Sequence, residues 1–137
     1  MKLDINQIQL MNTLDDVAHV GAKDCFVTER SIIYLVPEDQ MSQAIGKKGA
    51  NVEKLSKKLG KKVEFFEYMK EPEKFLEKAF FKAKIDKIEI KNTKEKKIAV
   101  VNADNTNKRL ILQNLGRLKK IKELCQRNYN IEEVRIR

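Results

Sequence analysis

The 137-residue sequence predicts an α+β protein of two tandem modules packed against each other, each running helix, strand, strand, helix, helix, strand. Three observations predict it. Apolar periodicity and turn residues spell the same six-element order twice. A shift of 66 residues sets Ile32 on Ile98, Tyr34 on Val100, Leu35 on Val101, Ile45 on Ile111, Val52 on Leu118 and Leu55 on Ile121 without a gap. Two glycines three apart, Gly46 and Gly49, fall between two of the helices. The boundary is expected at residue 69, giving modules at 1–69 and 70–137.

The elements follow in order. Leu3, Ile5, Ile8, Leu10, Met11, Leu14, Val17 and Ala18 recur at helical spacing, with Asp4 or Asn6 near the start and Gly21 beyond the end. Cys25–Val27 and Ile32–Val36 are β-branched and aromatic runs closed by Pro37, which read as two strands. Helices are expected at Asp39–Ile45 and Ala50–Leu59, with Gly60 as the stop, and a strand at Lys62–Tyr68. Pro72 suits the first turn of a helix whose apolar face is Phe75, Leu76, Ala79, Phe80 and Ala83. Strands at Lys84–Lys91 and Lys97–Val101 follow, then helices at Thr106–Gln113 and Gly116–Asn128 and a last strand at Glu133–Arg137. The run Lys94-Glu95-Lys96-Lys97 reads as a charged hairpin turn. Phe65, Phe66, Phe80 and Phe81 are expected in the core or between the modules.

Composition narrows the function classes. The formal charge is +9, and it is unevenly placed: residues 1–70 carry 11 basic and 10 acidic side chains, residues 71–137 carry 18 and 10. Such an excess suits a polyanion, because each phosphate neutralised releases condensed counterions. Cys25 and Cys125 are far apart in apolar contexts, so buried free thiols are expected rather than a disulfide or zinc site. No run approaches the length of a membrane span, and MKLDINQIQL lacks the apolar stretch of a signal peptide. The expectation is a cytoplasmic protein with no cofactor, no metal and no membrane partner. His19, the one histidine, has no triad or ligand partners in view and is expected at a helix end.

The segment Ala44-Ile45-Gly46-Lys47-Lys48-Gly49-Ala50-Asn51-Val52 carries the chemistry. Glycine permits the positive backbone angles of a tight turn and lets another backbone come close. A helix opening near Ala50 points its first amides and positive dipole end at this turn. Lys47 and Lys48 add full charges, and together these make a cradle for a phosphodiester backbone. An Ile before the first glycine, a helix after the second and two strands upstream form the arrangement of a KH domain, whose G-x-x-G loop clamps single-stranded nucleic acid. The element order is that of the type II arrangement.

Beyond the KH class, SIIYLVPEDQMSQAIGKKGANVEKLSKKLGKKVEFFEY, a second KH-like unit and the ending RNYNIEEVRI resemble the short archaeal NusA-like transcription factors over essentially the whole chain. The resemblance implies two type II KH units in tandem that bind single-stranded RNA during transcription termination or antitermination. Bacterial relatives carry further domains, including one for polymerase, for which this chain has no room; an RNA polymerase elongation complex stands as a candidate partner. The RNA-binding residues implied are Ile45, Gly46, Lys47, Lys48, Gly49 and Asn51, with Lys54 extending the phosphate track.

The second module departs from the pattern. The gapless shift puts Leu112-Gln113-Asn114-Leu115 at the clamp, and slipping by one residue recovers only Gly116. Leucine does not readily take positive φ, and its side chain blocks close approach of a phosphate. The clamp is expected to be lost while Lys108, Arg109, Arg117, Lys119 and Lys120 offer an electrostatic surface. Other readings are a KH protein of ribosomal RNA or ribosome assembly, and a protein-interaction adaptor. An enzyme is disfavoured, because no paired nucleophile and base, metal cluster or nucleotide loop is present.

Overall fold

A computed structural model describes residues 5–137, Ile5 by its backbone alone. The expected helix start at Leu3 and cap at Asp4 lie outside these residues. The chain divides after Met69 into two compact units, the second being Lys70–Arg137.

In the first unit the order is α1 (Ile5–Ala18), β1 (Asp24–Val27), β2 (Ser31–Pro37), α2 (Met41–Ile45), α3 (Ala50–Leu59) and β3 (Lys62–Tyr68). The sheet order is β1-β2-β3, with β1 antiparallel and β3 parallel to β2. The expected Asp39–Ile45 helix is divided, a 3-10 turn at Glu38–Gln40 preceding α2. Leu14 and Ala18 of α1, Ala44 of α2 and Leu55 of α3 bury against Cys25, Ile32, Tyr34, Val36 and Val63 on one sheet face. Ile33 and Leu35, alternating with these, are buried too, so β2 is a continuous apolar run. Two polar ties register α1 on the sheet: Gln7 Nε2 donates to the Cys25 carbonyl at 2.7 Å, and Tyr34 Oη donates to the Leu10 carbonyl at 2.6 Å.

The second unit repeats the plan with α4 (Pro72–Ala79), β4 (Lys87–Asn92), β5 (Lys97–Asn102), α5 (Asn105–Gln113), α6 (Leu115–Tyr129) and β6 (Glu133–Ile136), and sheet order β4-β5-β6. Again one neighbour of the middle strand is antiparallel and the other parallel. Phe75 and Tyr129, ring centroids 5.1 Å apart, hold α4 against the end of α6. The Thr93–Lys96 hydrogen bonds close the charged hairpin between β4 and β5.

Two expectations are corrected here. The helix from Pro72 stops at Ala79 rather than running on to Ala83: Phe80 leaves helical geometry at ψ 44°, and Ala83 N–H turns back to the Phe80 carbonyl. With the helix ended, two adjacent phenylalanines do not share one buried face. Phe80 is 6% exposed and Phe81 64%, so Phe81 belongs to the surface and not to a core.

Cys25 and Cys125 are both buried, and burial pushes the Cys125 thiol up to about 12. Thiolate is the reactive form, so neither cysteine should react with a disulfide dye in the native protein at about pH 8. Unfolding in urea should release both. Prompt native labelling would contradict this packing.

Candidate nucleic-acid interface

The loop between α2 and α3 is built from backbone angles that side chains avoid. Gly46 has φ 79° and ψ 167°, Lys48 φ 54°, and Gly49 φ 75°. Three of the four loop residues therefore lie at positive φ, and Lys48 does so with a Cβ, a conformation costing roughly 1–2 kcal/mol. Such strain persists only where neighbouring contacts over-determine it. Gly49 N–H donates to the Gly46 carbonyl at 3.1 Å, closing the turn.

Those neighbours are Asn51 and Gln43. Asn51 Nδ2 donates to the Gln43 carbonyl at 2.9 Å, joining the first turn of α3 to the middle of α2. The same amide packs on Gly46 so closely that a Cβ there would lie 2.9 Å from Asn51 Cγ, Nδ2 and backbone N. Gln43 continues the tie with its own side chain: Nε2 donates to the Ala18 and His19 carbonyls at 2.9 and 3.0 Å. His19 ends α1 at φ 57°, exposed, with its N–H on the Asp15 carbonyl. The end of α1, α2, the loop and the start of α3 thus form one hydrogen-bonded piece.

The charges stand outside that piece. Lys47 and Lys48 are exposed, as is Lys54 one turn along α3. Glu53, the acid in the first turn of α3, pairs at 3.2 Å with Lys57. Ile45 is half-buried at the end of α2 beside the turn, and Val52 packs against the core. The loop therefore presents two lysines and a tight turn to solvent at the mouth of a ten-residue helix. Asn51, expected on the RNA, has its amide nitrogen committed to shaping the loop. Gln43 was not among the expected residues; a polar side chain within MSQAI is its only trace in the sequence.

The corresponding junction in the second unit is different. α5 ends at Gln113 and α6 starts at Leu115, leaving Asn114 alone at φ −112° between them. Its Oδ1 accepts from the Arg117 N–H at 3.0 Å, an ordinary N-cap. Of the cations expected here, Arg109 and Lys119 are exposed and Lys108 and Lys120 half-buried. Arg117 is engaged within the unit: Nε donates to the Ala79 carbonyl at 2.9 Å, and the guanidinium lies 4.9 Å from the Phe81 ring centroid. The unit-1 candidates Ile45 to Lys54 share one corner of their unit; those from Lys108 to Lys120 belong to the other unit.

Among the described residues no group of three or more His, Cys, Asp or Glu is placed to hold a metal ion, and no helix is long and apolar enough to cross a membrane.

An α-β-β-α-α-β unit with a glycine-flanked lysine turn between its second and third helices defines the KH class, and residues 10–70 match the KH domain family. Three curated archaeal relatives are each named "Probable transcription termination protein NusA". That of Methanocaldococcus jannaschii is 24% identical over 99% of this chain and 75% of its own length. That of Methanococcus vannielii is 23% identical over 85% and 68%, and that of Halococcus morrhuae 25% identical over 89% and 88%. A solved structure described as the crystal structure of APE1850 superposes with a TM-score of 0.91 at 24% identity, covering 98% of this chain and 100% of that one. Residues 10–70 are thus a KH domain, and the chain along nearly its whole length is similar to archaeal proteins named as probable NusA.

Replacing Gly46 by Ala brings both positive φ and a 2.9 Å contact, whereas at Gly49 the same change meets nothing within 4 Å. Gly49→Ala should cost roughly 1 kcal/mol from the backbone alone, and Gly46→Ala roughly 2 kcal/mol or more. Urea denaturation of the two variants checks the order; equal losses would mean that Asn51 does not fill the space at Gly46.

Proposed function

We propose that this protein binds single-stranded RNA through its first unit and acts in transcription termination or antitermination. The observation that carries the reading is the Gly46–Gly49 turn, held in a strained, closed form with Lys47 and Lys48 outside it. A sugar–phosphate strand lies flush against a turn without side-chain bulk, and the α3 amides and the two lysines neutralise it. Lys54 extends the track along α3. Bases face Ile45 and the apolar side of α3, so recognition is a preference rather than a strict sequence code. The relatives' names support the transcriptional role, and an RNA polymerase elongation complex is the natural setting in which nascent RNA reaches such a clamp. The proposed location is cytoplasmic.

The second unit, residues 70–137, is proposed as a KH-type unit of the same type II order without the clamp. Lys108, Arg109, Lys119 and Lys120 add a long-range field rather than a grip, and Arg117 supports them from within. Backbone contact by three or four cations gives a salt slope of about −2 to −3 for an unpaired strand, at roughly −0.7 per contact.

Lys47→Asp with Lys48→Asp should leave the unfolding transition in place and weaken binding of an unpaired oligoribonucleotide about tenfold or more. Retained affinity in a folded double variant rejects the clamp. Arg109→Ala with Lys119→Ala should slow association of the same oligoribonucleotide at low salt and leave the salt slope near its original value, because these cations act at a distance. A slope flattened by about 1.4 would place both cations on phosphates.

A further inference from the structure

The junction between α5 and α6 carries the opposite chemistry to the loop it replaces. Where the 66-residue shift sets Leu112 on Gly46 and Leu115 on Gly49, the two leucines are 42% and 64% exposed. Phe81, 64% exposed, is brought to the start of α6 by Arg117, which holds the Ala79 carbonyl and covers the Phe81 ring. Six large apolar side chains among the described residues are markedly exposed, and four of them, Phe81, Leu110, Leu112 and Leu115, belong to this unit; Leu112 and Leu115 flank the α5–α6 turn, and Arg117, two residues on, carries the Phe81 ring. Single exposed leucines are ordinary on a protein surface, whereas a gathering of them marks an interaction site.

We propose that this corner is a docking surface for an acidic protein segment that carries apolar side chains. The apolar part follows from Leu112 and Leu115, which offer no hydrogen bonds and no flat ring, and which gain only by losing water. The acidic part follows from the rim: Lys82 Nζ lies 5.7 Å from the Phe81 centroid, Arg117 lies over the same ring, and Arg109 and Lys119 are exposed on α5 and α6. Residues 71–137 carry 18 basic against 10 acidic side chains, so the surrounding field also favours an acid. A second copy of the chain would set these cations against one another. An RNA strand finds no glycine turn here; Asn114 already caps the α6 amides, and a guanidinium already covers the Phe81 ring.

The test uses the full chain with leucine methyl groups labelled for NMR and three probes: a peptide alternating Glu and Leu, its Lys-for-Glu counterpart, and unpaired oligouridylate. The Glu–Leu peptide should shift the Leu112 and Leu115 methyl signals, and its Lys counterpart should not. Leu112→Asn with Leu115→Asn, both at exposed positions, should weaken the peptide roughly tenfold and leave oligouridylate affinity unchanged. Oligouridylate should move the Gly46 and Gly49 amides, so failure of the clamp and failure of this surface are read at different residues. The proposal is overturned if the acidic peptide leaves the leucine methyls unmoved or the Lys counterpart binds equally. It is likewise overturned if oligouridylate shifts those methyls, marking a nucleic-acid face, or if sedimentation shows a dimer that the double variant loses.

Discussion

Asn51 occupies the point at which the first unit's geometry is decided. Its amide donates to the Gln43 carbonyl across the turn and its side chain fills the space that a Cβ at Gly46 would take. With position 46 thus restricted to glycine, the chain enters the turn at φ 79°, and Lys48 and Gly49 follow into the left-handed region. Two lysines are thereby turned outward while the carbonyl of Gly46 is used inside. Gln43 carries the restraint on to the end of α1, where its amide donates to the Ala18 and His19 carbonyls. A strained turn of four residues is stable because three helices share its support.

The two units show how far a loop changes while its frame does not. Both hairpins are antiparallel and both third strands parallel to the middle one. Insertions are absorbed at the edges: Asp24 pairs with Leu35, 11 residues on, whereas Ile88 pairs with Val101, 13 residues on. α6 has 15 residues against the 10 of α3, and an Asn at φ 56° ends it where Gly60 ends α3. Between helices the difference is chemical. Losing the glycines shortens the turn to Asn114, closes the helix end with a side-chain cap and puts leucine where glycine stood.

Much of this was legible because it rests on local rules. Period-2 and period-3.6 patterns place every strand and helix within a few residues, since each has one face to bury. Glycines three apart between helices announce a turn with positive φ, and the missing glycines of the second unit announce its absence. What escaped depends on closeness in space. Asn51 looked like an outward polar residue of α3, and only the approach of α2 turns its amide inward. Arg117 looked like one cation among several, and only the end of α4 gives it a carbonyl and a ring. Phe81 followed an apolar stripe that the chain abandons one residue earlier, at Phe80.

The closed state of the Gly46–Gly49 turn also bears on timing. A turn already ordered by hydrogen bonds to two helices loses little freedom when a strand lands on it, so encounter is not slowed by folding of the site. On the proposed reading, differences among RNA sequences reside in how long each stays, set by the bases over Ile45, while the rate of arrival is governed by charge and ionic strength. If the strand is a transcript moving past the proposed clamp, such division makes dwell, rather than capture, the quantity that sequence tunes.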